Sequence, residues 1–268
     1  MKKLLALLLA LAMTACLFAC GDTKDAPATT KPTETPTEAP TEAPTETPTE
    51  PADKVMTYAE FMAADADAEC VIEFYAQDVQ PWWFDTEKNQ GKITVYGQTT
   101  EGGYFAYQAI CDEETGKKVL PGVKVRITGS KTIFNGLHEI MYGTLEIVEA
   151  TAWIAEPLDV TALVGTDALA EQVCKKIAIK NATVVAATDA GDAFKYNWDG
   201  SGSEGSDLYF YVQIGDAVQE LVIESYLCGV GSDAYEAVRS LQVGDQISVE
   251  GYLYWYQAAQ PHVYKVVK

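Results

Sequence analysis

Two tryptophans stand side by side at Trp82 and Trp83, directly after Pro81. Paired indoles in a connecting segment could stack on the apolar face of a sugar or on a nucleobase, the latter worth about 1–3 kcal/mol per base. The competing reading is that at least one of them closes the end of an apolar interior. Tyr209 and Tyr211 alternate with Leu208, Phe210, Val212 and Ile214, so a period of two puts both phenols on the face opposite the apolar set. After Gly244, Ile247 and Val249 point inward, but Gly251 suits a bulge that exchanges faces downstream. Either Tyr252, Tyr254 and Tyr256 then look outward, or Leu253 and Trp255 do. The candidate ligand contacts are therefore Trp82, Trp83, Tyr209, Tyr211, Tyr254 and Trp255. Packing between modules, or against a helix near Thr161, competes with that role.

Catalytic chemistry has less support. A nucleophile beside a base, a carboxylate pair in a cleft or a metal cluster is needed, and none stands out. His138 and His262 occupy similar places near the start of two late strands, with Lys131 near the first, but no serine or cysteine is locally paired with either. They read better as finishing the rim of a module. Acidic residues are numerous enough that a carboxylate pair could assemble in three dimensions without sequence warning. The loop from Asp199 to Asp207 has oxygen ligands at alternating positions, yet Glu204 stands where a calcium loop needs glycine and Phe210 where it needs a bidentate glutamate. It reads as an acidic hairpin loop. Cys70, Cys111, Cys174 and Cys228 contain no CxxC, so no metal site and no cofactor is expected. Outside the cytoplasm they could form disulfides. Cys70 with Cys111 and Cys174 with Cys228 is the preferred pairing of the three possible, beside the alternative of free buried thiols.

Charge bears on partners. The net charge is −20. Residues 54–156 hold 8 basic against 16 acidic side chains and residues 157–268 hold 7 against 15, so neither half carries the basic footprint of a phosphate reader. On this ground nucleic acid is not the expected partner.

The elements that must position these residues form a repeat. Leu120-Pro121-Gly122-Val123-Lys124-Val125-Arg126-Ile127-Thr128-Gly129 matches Val243-Gly244-Asp245-Gln246-Ile247-Ser248-Val249-Glu250-Gly251, and Tyr104-Phe105-Ala106-Tyr107-Gln108 matches Tyr209-Phe210-Tyr211-Val212-Gln213. In the first unit a capping box at Thr57-Tyr58-Ala59-Glu60 starts a helix to about residue 68. Strands are expected at 70–79, 91–98, 104–110, 123–133 and 139–148, with a short helical or looped piece at 112–118. The second unit has a helix near 161–172, strands at 176–187, 193–198, 207–214 and 221–226, a helix capped by Ser232, then strands at 246–256 and 262–267. Three strands, a helix and two strands is the order of the OB-fold.

The segments Thr57-Tyr58-Ala59-Glu60-Phe61, Gln80-Pro81-Trp82-Trp83, Leu120-Pro121-Gly122, Trp198-Asp199-Gly200-Ser201-Gly202-Ser203 and Glu224-Ser225-Tyr226-Leu227-Cys228-Gly229 resemble those of OB-like surface lipoproteins of Gram-positive type. The resemblance spans nearly all of the chain after Asp53 and implies a mainly β fold of two tandem five-stranded OB-like barrels. The wider OB family implies binding of an oligomer, nucleic acid or sugar, across a barrel face. Met1-Lys2-Lys3, an apolar run and Leu17-Phe18-Ala19-Cys20 resemble a lipobox, which implies a cleaved signal, lipid on Cys20 and a place on the extracytoplasmic face of the cell membrane. The run is short of the roughly 20 residues that span a bilayer. Residues 21–53 repeat Pro-Thr-Glu and read as a disordered spacer. The resulting division is a signal at 1–20, a linker at 21–53, and barrels at 54–156 and 157–268. The expected function is non-catalytic binding of a saccharide or surface protein; the alternative is an extracellular nucleic-acid-binding or processing protein.

Overall fold

Thr57 opens the first helix as its cap. Its backbone N–H donates to Glu60 Oε2 at 2.8 Å, while the Glu60 N–H donates to Thr57 Oγ1 at 3.2 Å, so the capping box forms and starts α1 (Tyr58–Ala63). The helix is shorter than expected because Ala64 is already extended. The buried Lys131 ammonium takes the free carbonyls of Met62 and Ala64 at 2.9 and 2.6 Å, which terminates the helix where they stand. The computed structural model describes residues 54–268; the signal-like segment, Cys20 and the 21–53 spacer lie outside the described residues.

The first barrel comprises β1 (Glu69–Val79), β2 (Trp83–Asp85), β3 (Gln90–Gln98), β4 (Gly103–Ile110), α2 (Glu113–Lys118), β5 (Lys124–Phe134), β6 (Leu137–Met141) and β7 (Thr144–Val148). β1 pairs antiparallel with β3 and β5, β3 with β4, and β5 with β6 and β7. Parallel pairing of Ala106 with Ile140 and of Ile110 with Thr144 closes the ring and leaves little free edge. The expected single last strand is split into β6 and β7 at Tyr142, whose φ is +58°, and Gly143. A side chain at Gly143 would meet Ile140 and Ile127 within 2.8 Å, so the backbone can pass this close only as glycine. Ile72, Phe74, Ile93, Val95, Val125, Ile127 and Ile140 fill the interior.

The second barrel follows as β8 (Leu158–Asp159), β9 (Lys176–Val185), β10 (Phe194–Tyr196), β11 (Leu208–Ile214), β12 (Ala217–Ile223), α3 (Asp233–Arg239), β13 (Gln246–Tyr256) and β14 (Ala258–Val267). Its ring runs β9–β11–β12–β14–β13–β9, with a parallel Val222–His262 pair between β12 and β14. Ser232 caps α3 by accepting from the Tyr235 N–H at 3.3 Å. The helix expected at 161–172 is instead two 3-10 turns, Thr161–Leu163 and Asp167–Gln172. Gly165 between them has φ +79°, which no continuous helix admits. The fold is mainly β and OB-like in duplicate, as the strand order implied.

The described residues belong to one compact unit. Between the barrels a separate buried cluster joins Tyr96, Phe105 and Leu137 to Cys174 and Tyr252. Burying a side chain such as Leu137 or Phe105 contributes about 1.5–3 kcal/mol. The Tyr252 hydroxyl donates to the Gln77 carbonyl at 3.1 Å, and Lys176 N donates to Gln98 Oε1 at 2.8 Å. Cys70, Cys111, Cys174 and Cys228 are free thiols, so the preferred disulfide pairing is not formed. The first three are buried, and apolar surroundings push the Cys111 and Cys228 thiols up to about 11 and 12, keeping them protonated.

Candidate functional site

The two tryptophans part company after Pro81. Trp82 turns in, and its indole N–H donates to the Cys111 carbonyl at 3.2 Å. Its ring covers Gly91 and Gly116, where an added Cβ would come within 2.5 and 2.3 Å of it, so it closes one end of the first barrel. Trp83 lies on the edge strand β2 and is 42% exposed. The buried ammonium of Lys92 sits 5.2 Å from its ring centre and is paired with Asp85 at 2.7 Å. Beside it, the exposed Lys88 reaches over Tyr142 at 4.7 Å.

From Trp83 a trough crosses the seam as three hollows that share walls. The first, 860 Å³, is lined by Gln80, Trp82, Trp83, Tyr107, Gln108, Glu224 and Tyr226 among others. Gln80, Tyr107 and Glu224 also line the second, 200 Å³, together with Tyr209, Tyr254, Asp207 and Gln260. Gln260 in turn lines the third, 710 Å³, with Tyr211, Glu220 and Trp255. Each of the six rings singled out from the sequence thus lines one of these three hollows, with Trp82 structural in its main contacts. The bulge falls at Gly251, after which Leu253 enters the core of the second barrel and Tyr252 and Tyr254 face the seam. Packing between barrels claims Tyr252 wholly. Tyr254 stacks on His262 with ring centres 4.3 Å apart and keeps one side to the hollow. At the far end, Tyr211 donates to Glu220 Oε2, Gln260 Nε2 donates to Glu220 Oε1 at 2.8 Å, and Lys195 lies over the Tyr211 ring at 5.7 Å.

Glu224 is the polar centre of the trough. Its Oε2 accepts from Gln80 Nε2 at 2.9 Å and from the Leu227 N–H at 3.0 Å. Burial, with Asp207 adding to it, pushes the carboxyl up to about 7 against the N–H groups of Leu227 and Tyr226. Asp207, in the same hollow, accepts from the Ser225 N–H at 2.8 Å. Two carboxyls in one hollow is an arrangement that can hold or move a proton. Glu224, Gln80, Tyr107 and Tyr226 were not singled out as contacts from the sequence. Glu224 and Tyr226 belong to a segment noted there only for its fold resemblance, as does Gln80.

His262 is not at the rim. His262 is buried at the seam, its Nδ1 2.7 Å from the Tyr96 hydroxyl, and burial holds it down to about 3. His138 carries a buried Nδ1 without a hydrogen-bond partner among the described residues. The loop at Asp199 folds on itself, Asp199 Oδ1 accepting from the Ser201 N–H at 3.0 Å, and no group of His, Cys, Asp and Glu among the described residues could hold a metal ion.

No protein-family model and no curated protein matches the sequence. Among solved structures the chain is similar to a murine DNA-binding protein bound with double-stranded DNA, at 10% identity over 74% of this chain and 95% of that one, with a TM-score of 0.34. It is also similar to the HINa domain of Ifi202 in complex with a 20-bp double-stranded DNA, at 12% identity over 76% and 97% of the two chains and a TM-score of 0.33. A replication factor A related protein from Methanobacterium thermoautotrophicum aligns at 18% identity with 38% of this chain and 96% of its own, with a TM-score of 0.28. Two expectations are corrected here: a saccharide or surface protein as the ligand, and nucleic acid as a partner to discount. Two of these solved chains are complexes with double-stranded DNA, and a charge summed over the chain misses local placement, such as Lys88 over Tyr142 and Lys195 over Tyr211.

Proposed function

We propose that this chain binds unpaired nucleic acid in the trough between two OB-like domains, 54–156 and 157–268, without catalysis. The observation that carries the reading is the placement of Trp83, Tyr107, Tyr209, Tyr226 and Tyr254 around two adjoining hollows with Gln80 and Glu224 at their shared wall. Ring faces stack on bases whatever their identity, and amide and carboxyl edges hydrogen-bond to them. A hollow of 200 Å³ takes a base only when it has left its duplex partner. Lys88 and Lys195, at the two ends, are placed to meet phosphates. With only two such cations the salt dependence should be shallow, a slope of log K on log salt of about −1 to −1.5. The acidic remainder of the surface then keeps duplex DNA off.

The same reading includes a location. A lipobox-like Leu17-Phe18-Ala19-Cys20 supports a lipid at Cys20, and a 33-residue Pro/Thr/Glu spacer would carry the domains up to roughly 100 Å from the membrane surface. Nucleic acid met there is extracellular.

The test is a titration of fluorescently labelled single- and double-stranded oligonucleotides against the full chain from low to moderate salt. Saturable binding of the single strand with the shallow slope supports the reading, and absence of single-strand retention at low salt overturns it.

A further inference from the structure

The hydrogen bonds on Glu224 are one-sided. Gln80 Nε2 and the Leu227 N–H both go to Oε2, with the Tyr226 N–H also beside the carboxyl, and Oε1 of Glu224 and the carbonyl oxygen of Gln80 are the polar atoms the pair can turn to a ligand. Both side chains line the 200 Å³ hollow, between the rings of Tyr107, Tyr209 and Tyr254. Resting on the reading of the trough as a site for unpaired nucleic acid, we propose that Glu224 and Gln80 together read the hydrogen-bonding edge of one base, and that the proton on Glu224 selects which base fits.

The selection follows from donor and acceptor counts. Protonated, Glu224 offers an O–H donor beside the Gln80 acceptor, the complement of a ring nitrogen beside an amino group. Cytosine (N3 and N4) and adenine (N1 and N6) present that pair, and thymine and uracil (O4 and N3–H) and guanine (O6 and N1–H) present the equivalent acceptor beside a donor, so this state admits every base. Once the proton has gone to solvent, Glu224 and Gln80 offer two acceptors, the complement of guanine N1–H and its N2 amino group. Adenine, cytosine, thymine and uracil present no two adjacent donors on that edge, so loss of the proton narrows acceptance to guanine.

Glu224 changes charge near neutral pH, where burial and Asp207 have raised it to about 7. The groups that face it are Asp207 in the hollow, the phenols of Tyr96, Tyr107 and Tyr209, the Cys228 thiol and the His262 imidazole. The phenols and the thiol are pushed upward, Tyr209 and Cys228 to about 12, and His262 is held down to about 3. The phenols, the thiol and the imidazole therefore keep their protonation between pH 6 and 8, and loss of the pH-dependent change in Glu224→Gln assigns it to Glu224.

The experiment measures affinity of the full chain for short single-stranded DNA oligomers that differ in one central base, at pH 6 and pH 8, for the wild type and for Glu224→Gln. The expected result is little base preference at pH 6 and a swing of about tenfold toward guanine at pH 8. Glu224→Gln, whose amide keeps a donor there, should hold the broad acceptance of pH 6 at both pH values. Gln80→Met, which keeps the volume and removes the acceptor, should level the preferences and serves where Glu224→Gln unfolds. Free nucleosides should not compete at matched base concentration, since the rings along the trough hold a strand. Wild-type binding with a pH-independent base order, a swing that survives in Glu224→Gln, or competition by nucleosides overturns the inference while single-strand binding still stands. Absence of binding to every oligomer overturns the underlying reading as well.

Discussion

The hydroxyl of Tyr96, on β3 of the first barrel, lies 2.7 Å from Nδ1 of His262, on β14 of the second. Tyr96 also packs at 4.9 Å between ring centres against Tyr252, so one residue carries both a polar and an aromatic link across the seam. Removing the hydroxyl strands a buried imidazole nitrogen, which costs about 1–3 kcal/mol. Tyr96→Phe should lower the unfolding free energy by that amount, seen as a lower urea midpoint with the m-value unchanged. An unchanged midpoint would mean that the seam does not depend on this bond.

The same pair sets an acid limit. His262 has a native value of about 3 against 6.5 when unfolded, so between those values the unfolded chain binds more protons and stability rises with pH. The contribution is complete above pH 6.5 and drains away as pH falls toward 3. In an NMR titration the His262 ring signals should stay put from pH 8 to pH 5, and a midpoint near 6.5 would remove the burial argument.

Glu139 works in the opposite sense. It is 2% exposed, and no hydrogen bond or ion pair to its carboxyl is present among the described residues. Burial alone raises it to about 7. Here the native state holds the extra proton, so stability falls as pH rises from about 4.5 to 7 and then levels. Glu139→Gln should gain about 2–3 kcal/mol at pH 8 and little at pH 5, read as the difference between urea midpoints at the two pH values. An equal gain at both would trace to something other than the charge.

What could be read in the chain was whatever depends on neighbours in sequence. Alternation from Leu208 to Val212 placed Tyr209 and Tyr211 correctly on the outer face, and the caps at Thr57 and Ser232 and the bulge at Gly251 are where local chemistry put them. What was missed depends on contact at a distance. A period of two says which face Tyr252 is on but not that another barrel covers that face. Gln80 and Glu224 are 144 residues apart, and nothing in either segment announces the other. The charge argument failed for a related reason: a sum over residues carries no positions, and Lys88 and Lys195 matter through the rings beneath them.

Trp82 and Trp83 give the sharpest separation of structure from binding. Trp82 fills the end of the first barrel against Gly91 and Gly116, so Trp82→Ala should cost about 3–5 kcal/mol through the cavity it opens. Trp83 is half-exposed on an edge strand with Lys92 under its ring. Trp83→Ala should therefore move stability by about 0.5 kcal/mol or less, yet weaken single-strand binding by about 1–3 kcal/mol, the worth of one stacked base. Thermal unfolding and oligonucleotide titration on the two variants check this together. Loss of binding in proportion to loss of stability in both would place Trp83 among the packing residues and leave the trough without its stacking platform.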